Sequence, residues 1–328
     1  MAESNCEIKN AIGGYFELAD YEEGLFPHPD GVLLNTGRNA LEYILRSIGE
    51  VNGVYLPYYT CEVVLEPLKK LHIPWMYYHI NARFEIADEI HPQKGEFIIA
   101  NNYYGIKDAY IHTLADQFGD HLIVDCAQAF FARPIKGIKA FYSPRKFVGV
   151  ADGGVAYLGN VPDGRVPVRE MECTEDHDSH LYKRKQFDAE TGFSDFKENE
   201  VKLCRQPIRL MSHYTKHILD HIDYDKVIDR RRANYLFFHD RLADNNVLKI
   251  ALDNNVVPMV YPYLTDSQDL KHRLISERVY VATYWPNVMD WVNEGDWEHY
   301  LISKLCPIPI DQRYDKKELE RIISIIER

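Results

Sequence analysis

The chain has 328 residues, 46% of them hydrophobic, and 38 Lys plus Arg against 50 Asp plus Glu give a formal charge of −12. That apolar content builds a sizeable core, as two domains or one large α/β unit with a smaller lobe, and excludes a disordered chain. So acidic a surface excludes a general nucleic-acid binder, and no apolar run approaches the ~20 residues of a membrane helix.

The N-terminal MAESNCEIKN has no basic-then-apolar signal pattern. Residues 31–35 (GVLLN) read as a strand and 37–50 as a helix, in which Ala40, Leu41, Ile44, Leu45 and Ile48 form one apolar face. A strand at 53–56 follows, then a helix through EVVLEPLKKL that Pro67 kinks or shortens. Strands are expected in PWMYYHI and EFIIANNY, a helix at 106–118, and strands in HLIVDCA, IKAFYS and GGVAYLG. Strands alternating with helices indicate a mostly parallel sheet covered on both faces, and wholly apolar strands such as FIIA fit it. Residues 160–200 are polar with little periodicity and read as a long surface excursion. Helices are then expected over 202–222 and 225–244. The closing stretch mixes short strands (NVVPMVYP, RVYVATYW) with helices (SQDLKHRLISE, KKELERIISIIER). The chain therefore divides into a large α/β domain, 1–205, and a small α+β domain, 206–328.

The six cysteines, Cys6, Cys61, Cys126, Cys173, Cys204 and Cys306, are scattered with no C-x-x-C pair, which suits reduced thiols in a cytoplasmic protein. His177 and His180 lie close together, but nothing completes a metal set, and no metal is expected.

Four features of the first half carry chemistry. In LNTGRNALEYIL a strand ends, Thr36 and Gly37 turn the chain, and a helix begins. The N–H groups of such a helix start suit a phosphate, with Gly37 allowing close approach and Arg38 and Asn39 as further donors. In LIVDCAQAF, Asp125 ends an apolar strand, where open α/β sheets place ligand residues, and Gln128 follows three residues later. A buried carboxylate needs a partner, and a protonated cofactor ring nitrogen would be one. In AFYSPRKFVGVADGG, Lys146 stands between a strand and a glycine turn, where a partly buried lysine can form a Schiff base, and Ser143 could contact a phosphate. In PYYTCEVV, Thr60 opens a helix at another sheet crevice. Each feature alone has an ordinary reading: a plain strand–turn–helix, a capping Asp, a surface Lys, a simple N-cap.

Their order resembles the fold-type-I enzymes that use pyridoxal 5′-phosphate (PLP), and most closely the DegT/DnrJ/EryC1/StrS sugar aminotransferases. NTGRNAL, VDCAQA, KFVGVADGGVAYL, RRRANY (230–235) and LCPIPIDQRYDKKELERIISII resemble that family's motifs in sequence order. The resemblance implies that Lys146 is the Schiff-base lysine and proton shuttle and that Asp125 pairs with the pyridinium nitrogen. Gln128 would bond the ring hydroxyl, and Ala127 would lie against one ring face. Gly37, Arg38 and Ser143 would hold the phosphate. It further implies amino transfer from glutamate to a keto sugar, nucleotide-linked, in amino-sugar or polysaccharide biosynthesis, and a homodimer with shared sites. Segment 192–212 would cross the interface, Arg209 reaching the partner's cofactor. Three positions depart from the family. Cys61 replaces the usual stacking aromatic, with Tyr59 and Tyr103 as candidates to compensate. Phe141 stands where the phosphate Ser usually is. QPIRLMS (206–212) lacks the Asn of the interface loop. Two alternatives stay open: a PLP lyase or dehydratase of the same fold, and a non-catalytic ligand-binding regulator.

Overall fold

The computed structural model describes residues 10–161, 166–168, 171–250, 252–267 and 269–328; Cys6 lies outside them. After a short strand β1 (Ile12–Gly13), the chain enters a seven-stranded sheet through β2 (Val32–Leu34) and the helix α1 (Gly37–Ile48). β3 (Gly53–Pro57), α2 (Leu65–Lys70), β4 (Trp75–Tyr78) and β5 (Glu96–Asn101) follow. Then come α3 (Asp108–Phe118), β6 (Leu122–Cys126), β7 (Lys139–Tyr142) and β8 (Gly154–Leu158). The sheet order is β2-β8-β7-β6-β5-β3-β4. β7, β6, β5, β3 and β4 pair in parallel, and β8 is antiparallel to both its neighbours.

The apolar content expected to bury both sheet faces does so. One face packs under α1 and α2, where Ala40, Leu41, Ile44 and Leu45 meet Ile99, Ile123 and Phe141. Burying each of those Leu and Ile side chains contributes about 2 kcal/mol. The other face, with Ile98, Val124 and Tyr142, merges into the core of the C-terminal half. Pro67 falls in the first turn of α2, where its missing N–H costs no intrahelical bond. It therefore sits in the opening turn of a helix of six residues, short as expected and without a kink, and Glu62–Val64 ahead of it form a 3-10 turn.

Two expectations fail beyond β8. The polar stretch 160–200 contains the helices α4 (Ser179–Gln186) and α5 (Phe193–Lys202). Their stabilisation is tertiary: Phe196 stacks on Tyr15, Lys183 pairs with Asp195, and Asn199 Nδ2 donates to the Ala151 carbonyl. The helix expected over 202–222 shrinks to α6 (His213–Leu219). Pro207 and the pairing of Leu210 with Leu34 and with Cys173 keep 206–212 extended along the edge of β2. Asp152 of the glycine turn accepts from Ser212 N–H, Ser212 Oγ and Thr215 Oγ1, so it anchors this segment.

The remainder contains α7 (Tyr224–Leu242), β9 (Val260–Leu264), α8 (Leu270–Ser276) and β10 (Val279–Tyr280). α9 (Trp297–Lys304), β11 (Leu305–Pro309) and α10 (Lys316–Ile326) complete it. β11 pairs antiparallel with β9, and β1 from the chain start pairs in parallel with β10. Inside the RRRANY stretch, Arg231 is fully buried. It donates to the carbonyls of Met259 and Phe147 and to Gln312 Oε1, joining this half to the Lys146 loop. Burial pulls its guanidinium down to about 10. Among the described residues no helix is long and apolar enough to cross a membrane.

Candidate active site

The parallel strands bring their carboxyl ends to one edge, the usual ligand position in such sheets. Asn101 and Asp125 are register partners at the ends of β5 and β6. β7 runs out into Ser143 and a 3-10 turn, Pro144–Lys146. The glycine pair at the start of β8, Gly153 and Gly154, lets this edge close. A Cβ on Gly154 would stand 2.2 Å from the Thr36 carbonyl oxygen, and one on Gly153, at φ +124°, would strike Pro144. The bare backbone thus fits between the Ser143 turn and the start of α1, where Thr36 Oγ1 accepts the Asn39 N–H.

These elements enclose a cavity of about 170 Å³ lined by Gly37, Arg38, Asp125, Ala127, Gln128, Ser143 and Lys146. Seven of the ten residues expected at the site therefore line one cavity. Asp125 is 8% exposed, and its Oδ1 accepts the Ala127 N–H at 2.8 Å. Burial pushes its carboxyl up, while the Lys146 charge and the Ala127 N–H pull it back. Among the described residues the Lys146 side chain makes no hydrogen bond or ion pair, and Lys146 lines both this cavity and a neighbouring cleft. Gln128 Oε1 accepts the Tyr104 N–H, while its Nε2 is buried without a partner. Asn101 Nδ2 donates to Thr60 Oγ1, leaving Asn101 Oδ1 buried and unpartnered. An unpartnered donor and an unpartnered acceptor beside a buried carboxylate are costly unless a ligand meets them.

Gly37 and Ser143 stand side by side: a Cβ on Gly37 would lie 3.6 Å from Ser143 Cβ. The first N–H groups of α1, a helix of 12 residues, have no intrahelical acceptors and present positive dipole ends there. Arg38 turns its guanidinium to Glu66 at 2.9 Å and to Cys204 Sγ at 3.3 Å. An anion in this corner therefore meets backbone amides and Ser143 before it meets a free guanidinium.

The other three expected residues stand outside the lining. Asn39 Nδ2 holds the Gln206 and Pro207 carbonyls. Thr60 is buried one shell back, bonded to Asn101. Arg209 lies on the edge segment and pairs with Glu172 at 3.5 Å. Tyr59 and Tyr103, the candidates to compensate for Cys61, also lie outside the cavity. Tyr59 bonds the Tyr104 hydroxyl, and Tyr103 bonds the Tyr59 carbonyl. Cys61 itself lines the cavity, its thiol pushed up by burial against the pull of Lys146.

Asn101, Arg145, Glu200 and Trp285 are among the lining residues that the sequence does not single out. Asn101 needed the β5–β6 register to be found. Arg145 adjoins Lys146 and pairs with Glu200 of α5, a helix the polar composition concealed. Burial pushes the Glu200 carboxyl up, but the charge and hydrogen bond of Arg145, with the Arg38 and His180 charges, together hold it below its ordinary range. Trp285 arrives from the far end of the chain. The adjoining cleft, about 420 Å³, is lined by Arg145, Lys146, Glu200, Tyr280, Tyr284 and Asp311, among others. Among the described residues no group of three or more His, Cys, Asp or Glu is placed to hold a metal.

No family model and no curated protein matches the sequence. Solved structures match in fold. A sugar aminotransferase from Micromonospora echinospora superposes with a TM-score of 0.63 at 14% identity, over 98% of this chain and 99% of that one. A DegT DnrJ EryC1 StrS aminotransferase from Brucella abortus gives 0.58 at 15%, over 90% and 85%. NtdA from Bacillus subtilis, solved with bound cofactor PMP, gives 0.64 at 13%, over 94% and 79%. The chain thus has the α/β fold of these fold-type-I aminotransferases.

Proposed function

We propose that this protein is a PLP-dependent aminotransferase that moves an amino group from glutamate to a keto sugar, nucleotide-linked. The observation that carries the reading is the convergence of Asp125, Gln128 and Lys146 on one cavity with an unpartnered amide donor and an unpaired lysine. That donor set fits PLP. The ring nitrogen would meet Asp125, and the ring hydroxyl the unpartnered Nε2 of Gln128. Ala127 would lie along the ring, and the phosphate would sit at the α1 amides, Gly37 and Ser143. When bound, the cofactor supplies an electron sink for the carbon that exchanges its amino group.

The chain's own residues do the rest. Asp125, ionised beside a cation, holds a proton on the ring nitrogen; in this buried crevice the pair is strong only while both charges are present. Lys146 lines both cavity and cleft. It takes a proton from the donor carbon that bears the amino group and returns one to the acceptor carbon. The neighbouring cleft, with tyrosine rings and the Arg145–Glu200 pair, is the proposed acceptor site. Its carboxylates and hydroxyls suit a hydroxylated ring, and Arg145 suits an anionic group. The same reading takes the chain as a homodimer in which the edge segment bearing Arg209 completes the partner's site. The test follows isotope-labelled glutamate nitrogen into a panel of nucleotide-linked keto sugars by mass spectrometry. Labelled amino sugar supports the proposal, and no transfer to any keto acceptor, with cofactor bound, removes it.

A further inference from the structure

We propose that Trp285, reaching in from the C-terminal half, is the ring-stacking residue of this site and supplies the aromatic wall that Cys61 does not. The inference rests on the PLP reading and names the residue against which the cofactor's planar heterocycle lies.

The cavity lining holds two aromatic rings, Phe141 and Trp285. Phe141 sits on β7 in register with Asp125 and belongs to the packed core beneath α1. Trp285 is placed differently. It is 7% exposed, with its ring edge-on to Tyr59 at 4.8 Å between centroids and 74° between planes. Tyr284 and Tyr103 stand against it at 5.9 and 6.1 Å. Three aromatic neighbours thus fix the indole in one orientation. Its backbone is left-handed, φ 60° and ψ 60°, which a bulky side chain directly before a proline rarely adopts. Such a conformation persists where the surroundings over-determine it, and it gathers at functional sites.

The following turn returns to the same place: Asn287 Nδ2 donates to the Thr60 carbonyl at 3.1 Å. The segment carrying Trp285 is therefore pinned to the turn that carries Cys61. A thiol at 61 is small, and the indole lines the same cavity as Cys61, Ala127 and Gln128. An indole face carries negative potential and attracts a planar cation, and the ring that Asp125 keeps protonated would be such a cation. Covering it also keeps water from Asp125 and Lys146, which strengthens the attraction between Asp125 and a ring cation.

The test measures PLP affinity by equilibrium dialysis, without turnover, for the wild-type protein and for Trp285→Phe, Trp285→Leu and Trp285→Ala. Circular dichroism and melting confirm the fold of each. Loss of a stacked aromatic face weakens binding by about tenfold, so Leu and Ala should show that loss while Phe stays within about threefold. Tryptophan emission of the wild type should also fall on PLP binding, and Trp285→Phe should lose most of that change. Leu filling the space with unchanged affinity would overturn the inference, since packing alone would then suffice. If the wild type binds PLP and all three variants bind equally, this inference falls and the functional reading stands. If the wild type does not bind PLP, both fall.

Discussion

Asp125→Asn separates a functional carboxylate from a structural one, because the two roles predict opposite signs. The side chain is 8% exposed, and its hydrogen bond comes from the Ala127 N–H, which an Asn Oδ1 can still satisfy. Without a cofactor, the buried charge is a cost: burial raises its pKa above that of the unfolded chain. The folded protein therefore holds that proton longer, and stability falls as pH rises from about 3.9 through the raised value. Asn removes this loss, so the apoprotein should melt at the same temperature or higher at neutral pH, with a flatter profile on the acid side. With cofactor and donor the sign reverses. A hydrogen bond to a charged group contributes about 2 to 3 kcal/mol. Its loss in the transition state lowers kcat/KM by about 30- to 150-fold. Scanning calorimetry of the apoprotein and single-turnover kinetics with glutamate give the two readings. A variant that is less stable yet transfers amino groups at near wild-type rates would refute the reasoning, since Asp125 would then be structural.

Gln128→Leu removes the buried, unpartnered donor but also the acceptor of the buried Tyr104 N–H, so the apoprotein should lose about 1 kcal/mol of stability, read by urea titration, while PLP binding weakens by about 1 kcal/mol, read by dialysis. Ser143→Ala should likewise raise the PLP dissociation constant about fivefold, with a matching loss of affinity for inorganic phosphate. If sites are shared between subunits, mixing inactive Lys146→Ala with Arg209→Ala should restore part of the activity; no recovery after proven subunit exchange removes the shared site. His28 is buried with its ring pulled down to about 4 by burial, against the pull of the Phe130 carbonyl. The unfolded chain binds that proton first, so up to about 3 kcal/mol of stability is lost as pH falls from about 6.5 to about 4. His28→Gln should show a shallower decline in urea midpoint over that range.

The residues that carry local signals were legible. Apolar strands, the face of α1 and the Asp125–Gln128–Lys146 series all sit close together along the chain, where periodicity and motif reach. Asn39 shows the limit: its place after the phosphate-type turn suggested a ligand donor, and the structure spends its amide on the Gln206 and Pro207 carbonyls. The stretch 206–212 lies inside the helix expected over 202–222, but strand-edge pairing to β2 holds it extended. Trp285 and Glu200 were out of reach for a different reason. Each is brought to the cavity by packing between segments far apart in sequence, and nothing near either residue announces it. α5 is held by contacts with distant residues such as Tyr15, Arg145 and Ala151, which local periodicity does not show.

The most direct test of the account is the visible absorbance spectrum of the purified protein incubated with PLP, before and after glutamate, beside Lys146→Ala. The account predicts a visible band in the wild type that glutamate bleaches, with borohydride fixing the cofactor to the peptide that contains Lys146 and no such band in the variant. A wild-type spectrum identical to free PLP, or cofactor fixed to another lysine, would contradict it.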